Sequence, residues 1–217
     1  MPGAAFFDLD LTLITINSGV SWVNRERRAG RIGMRQMAQA TVRFVLYRLS
    51  LIDMDEAMRL ALALYKGLPA ETLAGWTREW YEEEVASTFA PGGFPVMAEH
   101  RQQGRPLVLL TTSSPFEAAL VKEQLDLDLA ISTTYEVQDG LLTGEPILPL
   151  CYGQGKVTLA QRYADEQGID LAQSYFYTDS YTDRPMLDRV GHPHVVNPDF
   201  RLKRYANKKG WPVLNWQ

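Results

Sequence analysis

Four short runs constrain the fold of this chain most. Ala4-Ala5-Phe6-Phe7 ends at Asp8, and Leu107-Val108-Leu109-Leu110 ends in Thr111-Thr112. Tyr175-Phe176-Tyr177-Thr178 ends at Asp179, and His194-Val195-Val196 is the fourth. Each is continuously apolar rather than alternating, and helix-period segments separate most of them. That combination predicts an α/β chain with a parallel sheet covered on both faces. With 217 residues, the chain can bury a core without disulfide or metal staples.

The intervening segments support this reading. Behind Thr112, the spacing of Phe116, Ala119, Leu120 and Leu125 predicts one apolar helix face. Val157, Ala160, Tyr163 and Ala164 do the same behind Gly155. The central Asp139-Gly140 of residues 135–143 is a hairpin signal and predicts a small antiparallel flap. Residues 16–89 lack a strand–turn–strand pattern. Their stripes, Ala57/Leu60/Ala61/Leu64 and Leu73/Trp76/Trp80, predict an all-helical insert between the first two core strands. Residues 42–49 are apolar on most sides, which suits a buried bundle helix better than an interfacial membrane segment.

Composition excludes several classes. The lone Cys151 rules out an intrachain disulfide framework and a cysteine-based zinc site. No apolar run approaches the ~18 residues that span a bilayer. The first residues lack a basic n-region, which reads as the mature start of a cytoplasmic protein. A net charge of −4 argues against general nucleic-acid binding. That charge is uneven. Arg25, Arg27, Arg28, Arg31, Arg35, Arg43 and Arg48 stand against Glu26 alone, so residues 17–50 carry +6 and the remainder −10. The segment is either a solvated helix face or a positive wall for an anionic substrate.

The chemistry sits where the runs end. Three Asp-x-Asp pairs occur, but only Asp8/Asp10 follows an apolar strand and is completed by Thr12. Asp53/Asp55 and Asp126/Asp128 read as caps or turns. A carboxylate at the carboxyl end of a parallel strand lies in the crevice where such sheets bind ligands. There Asp8 can attack phosphorus and form an acyl-phosphate. Asp10 can protonate the leaving oxygen and then activate water. Two carboxylates beside a phosphate call for a hard divalent cation, and Mg2+ fits best. Thr111, Thr112, Ser113 and Ser114 offer hydroxyls and N–H groups before a helix, a phosphate cradle. Lys156 follows Gly155 at another helix start and can neutralise Asp8 and the phosphoryl oxygens. Asp179 is placed to complete the metal shell, and Asp183 to orient it or the lysine. Pro185 suits the first turn of a helix.

On these residues the chain resembles the haloacid dehalogenase superfamily phosphatases, in the subfamily that includes phosphoserine phosphatase. The motifs are Asp8-Leu9-Asp10-Leu11-Thr12, the Thr111-Thr112 segment, Lys156, and Asp179-Ser180-Tyr181-Thr182-Asp183. The resemblance implies a Rossmann-like core, residues 1–15 and 90–217, and an inserted all-helical (C1-type) cap, residues 16–89. It implies that Asp8 is the nucleophile and Asp10 the acid/base. Mg2+ would be held by Asp8, the backbone carbonyl of Asp10, and Asp179, with Asp183 and Thr182 behind them. Thr112, Ser113 and Lys156 would bind the phosphate, although helix phase also permits Thr111. The implied activity is hydrolysis of a small phosphorylated metabolite, with phosphoryl transfer to another acceptor and non-catalytic phosphate-ligand binding as the alternatives. Relatives often carry Gly, Ser or a polar residue where Leu11 stands.

The remaining candidates read as structural. His100, His192 and His194 make no ligand spacing, and Cys151 reads as an ordinary flap residue. Trp22, Trp76, Trp80 and Tyr47 suit cap packing better than an aromatic cage.

Overall fold

A computed structural model describes residues 2–31, 33 and 53–217. Arg35, Arg43, Tyr47, Arg48 and the apolar run 42–49 lie outside the described residues. The four expected runs form strands of the sheet, and two further short strands that the runs did not indicate join at its edges. Strands β1 (Ala5–Phe7), β2 (Leu107–Leu110), β3 (Leu129–Ile131), β6 (Tyr175–Thr178), β7 (His192–Val196) and β8 (Val213–Leu214) pair in the order β3-β2-β1-β6-β7-β8. Every pairing in this sheet is parallel. β7 begins two residues earlier than its apolar run, at His192, which pairs with Tyr175 of β6 and stacks on its ring.

Strand alternation divides the core in two. Ala5 and Phe7 face one cluster with Leu107, Leu109, Met97 and Val121. Phe6 faces the other with Val108, Leu110, Phe176, Ala160 and Leu202. Helices α4 (Gly93–Gln102) and α5 (Pro115–Leu125) supply the first cluster. Helices α6 (Gln154–Gln167), α7 (Arg184–Leu187) and α8 (Phe200–Lys209) supply the second. This is the doubly wound parallel sheet that the continuous apolar strands imply. β1 is central, with β2 on one side and β6 on the other, so the chain direction switches beside its carboxyl end.

Two helix faces differ from the expected ones. On α5 the buried side is Glu117, Ala118, Leu120, Val121 and Leu125, and Ala119 is exposed. Helix α2 (Met54–Leu62) buries Leu62, whereas Ala61 and Leu64 are exposed. Helix α5 packs against both residues 70–80 and β3, and α2 against residues 141–147, so the buried face is set by those neighbours rather than by the widest apolar stripe. On helix α3 (Ala70–Trp80), Leu73 and Trp80 are buried as expected, with Thr77 between them.

Between β1 and β2 the chain leaves and returns side by side. Ile14 bridges Phe89, Thr15 N–H donates to Thr88 C=O at 2.9 Å, and Ala90 N–H donates to Leu13 C=O at 2.8 Å. Helix α1 (Ser18–Arg28), α2 and α3 lie between these two crossings. The hairpin forms from β4 (Thr134–Gln138) and β5 (Leu141–Ile147), with Asp139 and Gly140 both at positive φ, as a two-residue primed turn demands. It docks on the segment before α3. Gly67 N–H donates to Leu142 C=O, and Leu142 N–H returns a bond to Leu68 C=O.

Cys151 is not part of the hairpin. It follows it, fully buried in the second cluster, where burial pushes the thiol up to about 12. Among the described residues no helix is long and apolar enough to cross a membrane.

Candidate active site

The site grows from the end of β1. Asp8 extends the ladder, its N–H donating to Tyr177 C=O at 2.9 Å. The chain then makes one wide helical turn, Leu9–Leu13, in which Ile14 N–H donates to Leu9 C=O five residues back. Asp10 is extended within this turn and Leu11 sits at φ 55°. A left-handed leucine is strained by about 1–2 kcal/mol. Leu11 is therefore first a feature of the backbone turn that places Asp8 and Asp10.

Lys156 binds two carboxylates at once. Its Nζ is 2.7 Å from Asp8 Oδ1 and 2.6 Å from Asp183 Oδ2, with the ammonium side chain 2% exposed. Of the two positions open to Asp183, the structure shows the one on the lysine. Burial works against the lysine's charge, but Asp183 and Asp8 outweigh it and hold the pKa above its usual value. Burial pushes Asp8 up, against the pull of Lys156. Asp179 lies close by and is pushed up to about 8, first by burial and then by Asp8 and Asp183. Its backbone N–H donates to Thr12 Oγ1 at 3.0 Å, which ties the threonine of the first motif to the end of β6.

Asp10 is held differently. Its Oδ1 accepts the N–H of Ser18 at 2.7 Å, at the first turn of α1. A helix N-terminus favours the anion. Burial is nevertheless the larger effect and raises the Asp10 pKa. A carboxyl whose pKa is raised by burial suits a group that must give up a proton.

The loop after β2 is cross-tied. Ser113 N–H donates to Thr111 Oγ1 at 3.1 Å, and Thr112 Oγ1 donates to Cys151 C=O at 2.9 Å. Thr111 is buried beneath the loop, while Thr112, Ser113 and Ser114 line a cavity of about 240 Å³. Asp10 and Ser18 line the same cavity. Thr182, expected behind the acids, is exposed instead and turned toward Ser180, 2.8 Å away. The hydroxyl bonded to Asp183 belongs to Thr178, at 2.8 Å. The step from strand to 3₁₀ turn puts residue 182 outside and residue 178 inside.

Sequence reasoning missed Thr178, Ser18 and Glu117. Thr178 and Ser18 carried no signal beyond their place at a strand end and a helix start. Glu117 reads as a helix-capping glutamate, three residues after its N-cap Ser114.

The arginine cluster is tied to the chain's own acids. Arg25 pairs with Glu83, Arg28 with Glu84, and Arg31 with the buried Glu26 at 2.7 Å. Arg31 also lies over the Trp76 ring, 4.1 Å from its centroid. These three form no free positive wall.

Gly155 fixes where the lysine stands. A Cβ there would lie 1.9 Å from the Leu150 carbonyl oxygen, so α6 starts this close to the preceding loop only with glycine. Gly155→Ala is expected to destabilise the fold by about 1–3 kcal/mol. A shift of even 1 Å at Lys156 would lower activity up to ~10²-fold. Thermal melting and phosphate release, measured together, check both effects.

The donor set fits a magnesium ion. Among the described residues no three His, Cys, Asp or Glu side chains form a ready-made metal cage. Among the described residues, the carboxyl groups of Asp8, Asp10, Asp179 and Asp183 nevertheless gather around Lys156 and offer oxygen donors, the kind a hard divalent cation takes.

Comparison with known proteins identifies the family. Residues 5–188 match the haloacid dehalogenase-like hydrolase family. A phosphoserine phosphatase of Mycobacterium tuberculosis is 31% identical over 223 residues, covering 100% of this chain and 72% of the relative. A histidinol-phosphatase of Neisseria meningitidis is 30% identical over 222 residues, covering both chains completely. A crystal structure of a Bordetella pertussis protein of unknown function superposes with a TM-score of 0.92 at 26% identity, again over both full chains. The chain therefore belongs to the haloacid dehalogenase-like hydrolase family, as a phosphatase of the phosphoserine-phosphatase-like type.

Proposed function

We propose that the protein hydrolyses the phosphomonoester of a small metabolite, with Mg2+, through an aspartyl-phosphate at Asp8. The observation that carries this reading is the Lys156 bridge. It holds Asp8 ionisable and oriented at the end of β1, next to Asp179 and within the same turn as Asp10.

Mg2+ would be held by Asp8, the backbone carbonyl of Asp10, and Asp179, and would supply positive charge against the phosphoryl oxygens. The chain's own residues do the rest. An Asp8 carboxylate oxygen attacks phosphorus in line with the leaving alkoxide. Lys156 and the N–H and hydroxyl groups of Thr112 and Ser113 stabilise the equatorial charge. Asp10 gives its proton to the leaving oxygen, then takes one from the water that attacks the aspartyl-phosphate. Residues 16–89 form the cap. The paired crossing at Ile14 and Phe89 supports a hinge there, where two backbone segments enter and leave together.

The test is phosphate release from a panel of phosphomonoesters with Mg2+, with EDTA, and with Mg2+ restored. Release that EDTA abolishes and Mg2+ restores is expected. No release from any ester in the presence of Mg2+ would overturn the reading.

A further inference from the structure

The face of α8 that looks away from the core carries charge that the fold does not consume. Leu202 and Ala206 point into the second cluster and are fully buried. At 3.6 residues per turn, the line opposite them runs through Phe200, Arg204 and Lys208, with Arg201 and Lys203 on its two flanks. All five residues are exposed, and Phe200, at 79%, is the most exposed large apolar residue among those described.

Residues 184–209 sum to +5, and the rest of the chain to −9. The acids beside α8 are already engaged. Asp199 caps the helix by accepting Leu202 N–H at 2.7 Å, and Asp188 accepts from Lys209 Nζ at 3.0 Å and from Tyr205 Oη at 3.0 Å. Among the described residues, Arg201, Lys203, Arg204 and Lys208 have no carboxylate partner. In this they differ from Arg25, Arg28 and Arg31. Helix stability does not explain them either. The macrodipole favours cations in the last turn, whereas Arg201 stands in the first turn and Lys203 and Arg204 follow it.

Most of the rings beside this face are covered by the chain's own cations. Arg201 lies over the Tyr181 ring, 4.4 Å from its centroid, and Lys209 lies over the Tyr205 and Trp211 rings at 5.4 and 5.7 Å. That leaves no open row of rings, among the described residues, for nucleic-acid bases to stack on. Phe200 is the exception, a single ring beside unpaired cations. A lone aromatic among lysines and arginines suits an anionic lipid surface, where the cations meet headgroups and the ring enters the acyl boundary.

We propose that this face of α8 docks the protein on an anionic lipid membrane, with Arg201, Lys203, Arg204 and Lys208 against the headgroup phosphates and Phe200 inserted between them. The surface begins beside the active site. Arg201 stacks on Tyr181, which follows Asp179 by two residues, and α8 starts just beyond the carboxyl end of β7. The docking needs no catalysis, so it stands or falls apart from the phosphatase reading.

The experiment is co-sedimentation of the full chain with phosphatidylcholine vesicles containing about one third phosphatidylglycerol, against vesicles of phosphatidylcholine alone, at low salt. Binding to the anionic vesicles is expected to be at least about tenfold tighter, and raising the salt to about 0.5 M is expected to release the protein. Arg204→Glu with Lys208→Glu is expected to weaken that binding by about tenfold or more, and Phe200→Ser by about three- to tenfold. Both variants should melt with the unmodified protein, because all three residues are exposed. No binding to the anionic vesicles, or equal binding to the neutral ones, would overturn the proposal whether or not the variants fold. So would a folded double variant that binds as tightly as the unmodified protein, which puts the attachment elsewhere on the chain. Capture of a single-stranded oligonucleotide in place of the vesicles also overturns it, in favour of a nucleic-acid partner.

Discussion

Asp8→Asn is expected to reduce phosphate release by on the order of 10⁴–10⁶-fold, to the level of the remaining binding groups. The amide has the size of the carboxylate and keeps an oxygen that can accept from Lys156 Nζ, now 2.7 Å from Asp8 Oδ1. It lacks the nucleophilic electron pair on a charged oxygen, so no aspartyl-phosphate forms. Binding of a phosphate ester is expected to be no weaker, because one negative charge facing the dianion is gone. Stability should move in the direction opposite to activity. Asp8 has a folded-state pKa raised from 3.8 to about 7 by burial. Between those values the native state holds a proton that the unfolded chain has released, so stability falls as pH rises through this window. Asparagine escapes that loss. In metal-free buffer at pH 8 the variant is expected to melt no lower than the unmodified protein. Acid-quenched protein should carry phosphate after incubation with substrate only when Asp8 is present. A variant with more than about one hundredth of the original rate would remove Asp8 from the mechanism, since losing a true nucleophile exceeds that factor by orders of magnitude.

Lys156→Met is expected to remove both activity and much of the stability. It leaves Asp8 and Asp183 buried with no counter-charge, and breaking a buried pair costs about 3–5 kcal/mol. For a chain of this size that corresponds to a melting temperature lower by roughly 6–20 °C. Lys156→Arg should not rescue it. The lysine is a point charge in a slot where the residue is 1% exposed, and the planar guanidinium needs more room. The second substitution separates the two roles. Lys156→Met with Asp183→Asn removes one of the two orphaned charges, so part of the melting temperature should return while phosphate release stays at background. A double variant no more stable than the single one would show that the Asp183 contact carries little energy. Denaturation and phosphate release on the same preparations read both effects.

The sheet and its chemistry were legible in the sequence because they depend on local rules. An apolar run of four residues that ends in aspartate or threonine identifies both a buried parallel strand and the polar group at its carboxyl end. β1, β2 and β6 followed from that pattern, and so did the convergence of Asp8, Thr111-Thr112 and Asp179. The hairpin was equally local, since Asp139-Gly140 specifies its own turn. What depended on a neighbour was not legible. The outward turn of Thr182 and the inward turn of Thr178 follow from how the chain leaves β6, and two hydroxyl residues four apart look alike in sequence.

Charge was the least legible property. A run of arginines at +6 reads the same whether it faces solvent, substrate or its own acids. Only the packing of α1 against the chain that follows α3 brings Arg25 and Arg28 to Glu83 and Glu84. Glu117 is the opposite case. Its position after Ser114 gives it an ordinary capping identity, and only the walls contributed by Trp22, Trp80 and Tyr135 turn it into a buried acid at a cavity. The sequence by itself determined the four apolar strands and which reactive groups stand at their ends, because period and turn chemistry act within a few residues; the two edge strands, β3 and β8, were not legible in it. The tertiary structure decided which charges are paired and which acids are buried, because burial and electrostatics depend on residues that are distant along the chain.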